Sequence, residues 1–223
     1  MENITGTLWY VKWFTLVFLG ALMVDLVYVY WPWPAVRGVA VFQHNLHTET
    51  QLIAGLSNPQ GLAFIQQVQA WVYQPTFVWT GLHEFLMLGL YPVADSGTAS
   101  AADIGQGLAT GFREQIQTAY IGVLLFSQRL AVLALSAPLF GLVALAMFAD
   151  GLLTWYKRRT SVGRESGFIY HHAKHAFNYT LLAVWTLYLL PPMALDPRWV
   201  IPPALVLVGL SLRLAVGHFK KYL

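Results

Sequence analysis

The hydrophobic positions of this chain fall into long runs separated by short polar stretches. Roughly 20 mainly apolar residues in a helix cross about 30 Å of hydrocarbon. Residues 8–31 meet that length, interrupted only by Lys12 near one end and Asp25 near the other. Leu130 to Ala149 is uncharged, and the pattern continues to Tyr156 before Lys157, Arg158 and Arg159 close it. Pro138 falls inside this run, where a membrane helix tolerates a kink or a freed carbonyl. Residues 176–195 are uncharged and include Pro191 and Pro192, while 199–219 holds one charge, Arg213, close enough to the end to snorkel. The pattern therefore predicts an all-α, polytopic membrane protein of one membrane domain, with four transmembrane helices over 8–31, 130–156, 176–195 and 199–219.

The first run is followed by Asp25, Tyr28, Tyr30, Trp31 and Trp33 rather than by a small-residue cleavage site. It reads as an uncleaved span with aromatic edges, not as a signal peptide. Between the first and second spans lies a long, partly helical extracytoplasmic segment, 34–128. In it, Asn58 to Gln74 is amphipathic, with Leu62, Ile65, Val68 and Val72 on one face and Gln66, Gln67, Gln69 and Gln74 elsewhere. Phe77 to Tyr91 is more apolar but short, and contains His83 and Glu84, so it reads as interfacial or re-entrant. Asp95 to Gly111, rich in Gly, Ala and Ser, reads as a loop. A helical pattern resumes at Phe112 and runs toward the second span.

Composition agrees with this reading: 57% of residues are hydrophobic and 10% are charged, against about 25% charged in soluble domains. Cysteine is absent, which excludes disulfides, thiolate metal sites and cysteine nucleophiles. The placement of charge sets an orientation. The loop 157–175 holds Lys157, Arg158, Arg159, Arg164 and Lys174 against Glu165 alone, and the tail adds Lys220 and Lys221. Between Pro34 and Gln128 the balance reverses, with Arg37 and Arg113 against Glu49, Glu84, Asp95, Asp103 and Glu114. Positive charge marks the cytoplasmic side. Four spans then put both termini and the basic loop in the cytoplasm of a bacterial inner-membrane protein.

The candidate chemistry is thin. His171 and His175 share a helix face at the spacing that binds zinc in metalloproteases, but the general-base position after the first histidine is His172. Asn178, on the same face, is a poor third ligand. His44 and His47 lie near Glu49 in what reads as a polar outer loop with at most a weak metal site. Asp25 and Asp150 are acids at or near membrane depth. Asp25 stands about two turns from Trp31, near an edge, and Asp150 is placed to pair with the basic cluster at Lys157. No Gly-rich phosphate cradle and no Ser-His-Asp order is present, so nucleotide binding and hydrolase chemistry have no support. The basic loop suits anionic lipid or a protein partner, with each cation worth about 1 kcal/mol near an anionic surface. No cofactor, metal or sequence-specific nucleic-acid binding is expected. The alternatives are a membrane metal or haem redox protein using His171 and His175, or a small transporter subunit.

One stretch is distinctive: Arg164-Glu165-Ser166, then Tyr170-His171-His172-Ala173-Lys174, between two hydrophobic runs. It resembles a family of bacterial membrane proteins of integrating conjugative elements and conjugative plasmids, a domain of unknown function, over most of the chain. The resemblance implies a non-enzymatic inner-membrane component of the conjugative DNA-transfer (type IV secretion) apparatus, a partner of its coupling ATPase, and brings no catalytic residues. In that setting Arg164 with Glu165, and Tyr170, His171 and Lys174 on one helix face, are candidate partner contacts. Other membrane proteins of the machinery and further copies of the chain are its expected neighbours.

Overall fold

The computed structural model describes residues 2–30, 38–84, 112–160 and 167–219. These form helices α1 (Glu2–Tyr30), α2 (Val39–Leu56), α3 (Pro59–Tyr73), α4 (Arg113–Thr160), α5 (Gly167–Leu189) and α6 (Pro197–Gly217), with a π-helical turn at Gln74–Val78. Three of them are long and apolar enough to cross a membrane: α1 over Val11–Tyr28, α4 and α6. α5 is not among the three. It takes in His171, His172, Lys174 and His175 at its start, and it ends at Leu189, ahead of Pro191 and Pro192. Proline lacks the N–H a helix needs and disfavours helical backbone at the residue before it. The expected span over 176–195 is cut short for that reason. Its uncharged helical part, Ala176 to Leu189, rises only about 21 Å.

The described chain divides into two compact units, residues 1–132 with 189–194, and residues 133–188 with 195–223. In the first unit, α1 runs antiparallel to the first part of α4. Phe14 and Phe18 meet Phe126 edge-on at 5.9 and 4.9 Å, and Asp25 lies against Gly122. A side chain at Gly122 would run into the Asp25 carboxylate. Helix α2 lays Phe42 on Ile121 and Leu125, with Tyr28 edge-on at 6.0 Å. This helix replaces the polar loop expected around His44 and His47. Its buried stripe is Phe42, Asn45, Glu49 and Ile53, one helix face by spacing but half of it polar.

Helix α3 follows the predicted amphipathic pattern. Asn58 caps it by accepting the Gly61 N–H at 2.7 Å, and Pro59 sits in the first turn, where its missing N–H costs nothing. Ile65 and Val68 are buried, while Gln66 and Gln67 are exposed. Pro75 then removes a regular hydrogen bond, and the turn widens until the Trp79 N–H reaches the Gln74 carbonyl at 3.0 Å.

In the second unit the later part of α4 packs beside α6. Gly209 faces Val143 and Met147, Gly151 faces Arg213 and Val216, and Gly217 faces Thr154. Residue numbers rise together along both helices, so the pair is parallel. α4 is continuous for 48 residues through Pro138, about 72 Å, as the pattern resuming at Phe112 predicts. The Asp196 side chain caps α6 by accepting the Arg198 N–H at 2.9 Å, ahead of Pro197. Residues 85–111, which hold most of the interfacial stretch and the Gly-rich loop, lie outside the described residues, as do 161–166.

Candidate functional site

The first unit holds an ion pair that pattern reading misses. Arg129, on α4, is 2% exposed, and Glu49, on α2, is 1% exposed. The guanidinium grips Glu49 through Nε, at 3.0 and 3.1 Å from the two carboxylate oxygens, and through Nη2. Its other donors go to main chain: Nη1 to the Pro191 carbonyl at 2.6 Å and Nη2 to the Met193 carbonyl at 2.7 Å. Asn45 donates to the carbonyl between them, Pro192, at 2.8 Å. Three consecutive carbonyls of the link after α5, which have no helix to satisfy them, are thus held by two side chains. Glu49 neutralises the arginine that does most of this. The arrangement clamps a turn, and every nitrogen of the guanidinium is engaged by protein.

Beside it, the Gln128 carbonyl oxygen faces the Gln69 amide at 3.3 Å and the Thr50 hydroxyl at 3.2 Å. Thr118 and Ser127 are buried but return their protons to their own helix, to the Glu114 and Leu124 carbonyls. Asp25 is buried too, 6% exposed, in the same unit. Farther along α3, Tyr73 stacks on Phe77 at 5.4 Å and its hydroxyl lies 2.5 Å from His83 Nδ1. Burial, then the neighbouring Tyr120, push the Tyr73 phenol above its usual range. It therefore stays protonated, and its hydroxyl shares a hydrogen bond with His83 Nδ1.

The second unit collects cations at one end. Lys157, Arg158 and Arg159 occupy the last turn of α4. Arg158 donates to the Gly217 carbonyl, at the end of α6, where positive charge also suits the helix dipole. Arg159 lies 5.4 Å over the Trp155 ring, and Lys157 is exposed. Tyr170, His171, His172 and Lys174 fall in the first turns of α5. His172 and His175 are exposed, and His175 stacks on Tyr179 at 6.1 Å between ring centres. Arg164 and Glu165 lie outside the described residues.

Three expectations change here. Asp150 pairs with Arg213 of α6, not with the basic cluster at Lys157. Lys157 is two turns away on the same rod, whereas α6 packs directly alongside. The same contact gives Arg213 a carboxylate partner in place of a snorkelling role. His44 and His47 are exposed on α2 while Glu49 turns inward to Arg129, so the three do not converge. Among the described residues, no group of three or more His, Cys, Asp or Glu could hold a metal ion.

No curated protein and no solved structure matches the chain. Residues 31–220 match a family model described as IncC plasmid conjugative DNA transfer protein DtrJ-like, a stretch that takes in the Glu49–Arg129 and Asp150–Arg213 pairs and the cations at the end of α4. The chain belongs to this DtrJ-like family of conjugative DNA transfer proteins.

Proposed function

We propose that the chain is a non-enzymatic inner-membrane subunit of the conjugative secretion machinery, whose basic loop, residues 157–175, docks the coupling ATPase in the cytoplasm. The observation that carries this reading is the cluster of cations in the last turn of α4, where Arg158 reaches the end of α6. Arg158 ties two helix ends together, so the charges are mounted on a rigid base rather than on a free tail. The exposed side chains there, Lys157 and Arg159, like the exposed His172 and His175 of α5, are of the type that meets an acidic protein surface.

Helix direction supports a reading with four crossings. α4 and α6 run parallel in the second unit, so if both cross the membrane the chain must return between them. Only α5 is available. Its 23 residues rise about 34 Å, enough for the return once the polar first turns sit at headgroup level. An even count then places both termini on the side of the basic loop.

Charge reversal tests the docking surface. Arg164→Glu and Lys174→Glu are expected to lower conjugation frequency while membrane abundance stays normal. Orientation is held by Lys157, Arg158, Arg159, Lys220 and Lys221, so one reversal does not flip the protein. At a complementary interface the reversal costs several kcal/mol, whereas lipid attraction alone loses about 1–2 kcal/mol. Normal transfer by both variants at normal abundance would reduce the loop to a topology signal.

A further inference from the structure

In the first unit, α2 and α3 form a hairpin laid along the early part of α4. The contacts of α2 climb with α4: Phe42 packs on Ile121 and Leu125, and Glu49 meets Arg129. Those of α3 descend: the Gln69 amide faces Gln128 at 3.3 Å, and Tyr73 and Phe77 lie edge-on to Tyr120 at 5.8 and 5.6 Å. The turn that joins the two helices, at Ser57 and Asn58, therefore lies past Arg129. Arg129 is the last charge before the uncharged run of α4 that begins at Leu130, so the headgroup layer starts near its level. From Glu49 to Leu56 the axis of α2 advances about 10 Å, and from Gln69 back to Pro59 that of α3 advances about 15 Å. A headgroup layer is about 5–7 Å thick. A turn that far along reaches through it to the acyl chains.

The composition of the hairpin changes to suit. From Thr50 to Leu82 there is no Lys, Arg, Asp, Glu or His, where a soluble domain of that length carries about eight charges. The tip exposes Ala54, Leu56 and Ala63, with only neutral glutamines among them. Trp71, half a turn from Gln69, is 61% exposed, a residue type that marks the headgroup level. The turn also meets its own backbone needs. The Ser57 N–H donates to the Ile53 carbonyl at 2.9 Å, the Gly61 N–H to the Asn58 side chain at 2.7 Å and the Leu62 N–H to the Asn58 carbonyl at 3.0 Å, while Pro59 has no N–H to satisfy. Backbone that enters lipid must be satisfied in this way. We infer that the α2–α3 turn is a membrane anchor, dipping into the leaflet on the side where the uncharged run of α4 begins, with Leu56 at its tip. The anchor goes beyond the docking reading: it needs α4 to cross the membrane, and takes from the four-crossing reading only the name of the side, extracytoplasmic.

The test exploits the absence of cysteine. Leu56→Cys, Gln43→Cys and Leu142→Cys, each at an exposed position, carry a nitroxide label in the full chain, reconstituted in vesicles of phosphatidylethanolamine and phosphatidylglycerol. Collision of the label with oxygen, which concentrates in lipid, is compared with collision with a water-soluble nickel chelate. The label at residue 56 is expected to favour oxygen over nickel several-fold more than the label at residue 43, about 20 Å back along α2. It should approach the value at residue 142, inside the uncharged run of α4. Ala54→Cys, at a small exposed neighbour, repeats the measurement if Leu56→Cys does not reconstitute. Nickel access at the tip beside a lipid-exposed residue 142 would overturn the anchor and leave the crossing of α4 standing. Nickel access at residue 142 as well would remove the crossing and the anchor together. A tip shielded from both reagents would assign the turn to a second copy of the chain, and would overturn the anchor too.

Discussion

At the scale of single residues, the Glu49–Arg129 pair decides most in the first unit. Removing one partner of a buried ion pair costs about 3–5 kcal/mol, while replacing both with apolar groups of similar size is close to neutral or stabilising. Arg129→Met strands the Glu49 charge and also frees the Pro191 and Met193 carbonyls. Glu49→Gln leaves an uncompensated guanidinium but keeps an acceptor in place. The expected order of destabilisation is therefore Arg129→Met, then Glu49→Gln, then the double variant Glu49→Met with Arg129→Met. Thermal melting of the purified proteins in one detergent measures it, and a Glu49→Gln protein that melts like the unaltered chain would mean the pair does not form. Neither partner is conspicuous in the sequence. Arg129 stands just outside the uncharged run that begins at Leu130, and Glu49 keeps company with two histidines. The residues are 80 apart, and no local pattern links them. Asp150 and Arg213 hide for the same reason. Spacing along one helix is legible, whereas the partner across a helix pair depends on how the two helices pack.

At the scale of elements, hydrophobic rhythm is a good guide where the buried face is apolar and a poor one elsewhere. It places α3, whose core face is Ile65 and Val68, and the long run of α4 beyond Phe112. It fails for α2, because Asn45 and Glu49 occupy the inward stripe and break the apolar period. It overextends α5, because a hydropathy run continues through Pro191 and Pro192 while a helix does not. The α4–α6 pair yields a sharper test. Small residues let membrane helices approach closely, and a Cβ at Gly151 would stand 2.8 Å from Val216 Cβ and 3.1 Å from the Arg213 carbonyl oxygen. Gly141, on the same helix, has nothing within 4 Å of that position. Gly151→Ala should therefore lose stability by about 1–3 kcal/mol through overpacking. Gly141→Ala should gain up to about 1 kcal/mol from helix propensity. The two melting curves should shift in opposite directions. Equal shifts would show that α4 and α6 do not touch at Gly151.

At the scale of the whole molecule, membrane character was plain from the runs and the charge deficit, and the conjugative family was legible from the short polar motif around Arg164 to Lys174. The number of crossings was less legible, since α5 shares its length between a polar start and an apolar remainder. The proposed crossing by α5 rests on the parallel course of α4 and α6. Outward-facing Val11, Leu16, Leu19, Met23 and Val27 give α1 an apolar surface suited to lipid. With the four crossings proposed above, the segment 34–128 and the loop 157–175 lie on opposite sides. The loop carries the excess of Lys and Arg, the mark of a cytoplasmic side, and the proposed orientation puts it there. Because cysteine is absent, a single introduced thiol reports its own side without background. Ser100→Cys should react with a membrane-impermeant thiol reagent in intact spheroplasts. Ser161→Cys should react only after lysis. Both positions fall in stretches expected to be loops, so failure to label through burial is checked by denaturing the same samples, where both must react. A chain with three crossings would give equal accessibility at one terminus and the basic loop but opposite sides for the two termini. Cysteines added at residue 3 and residue 222 therefore complete the set. Protection of both until lysis is the outcome four crossings require, and labelling of either one in intact spheroplasts would overturn the count even if the loop were correctly placed.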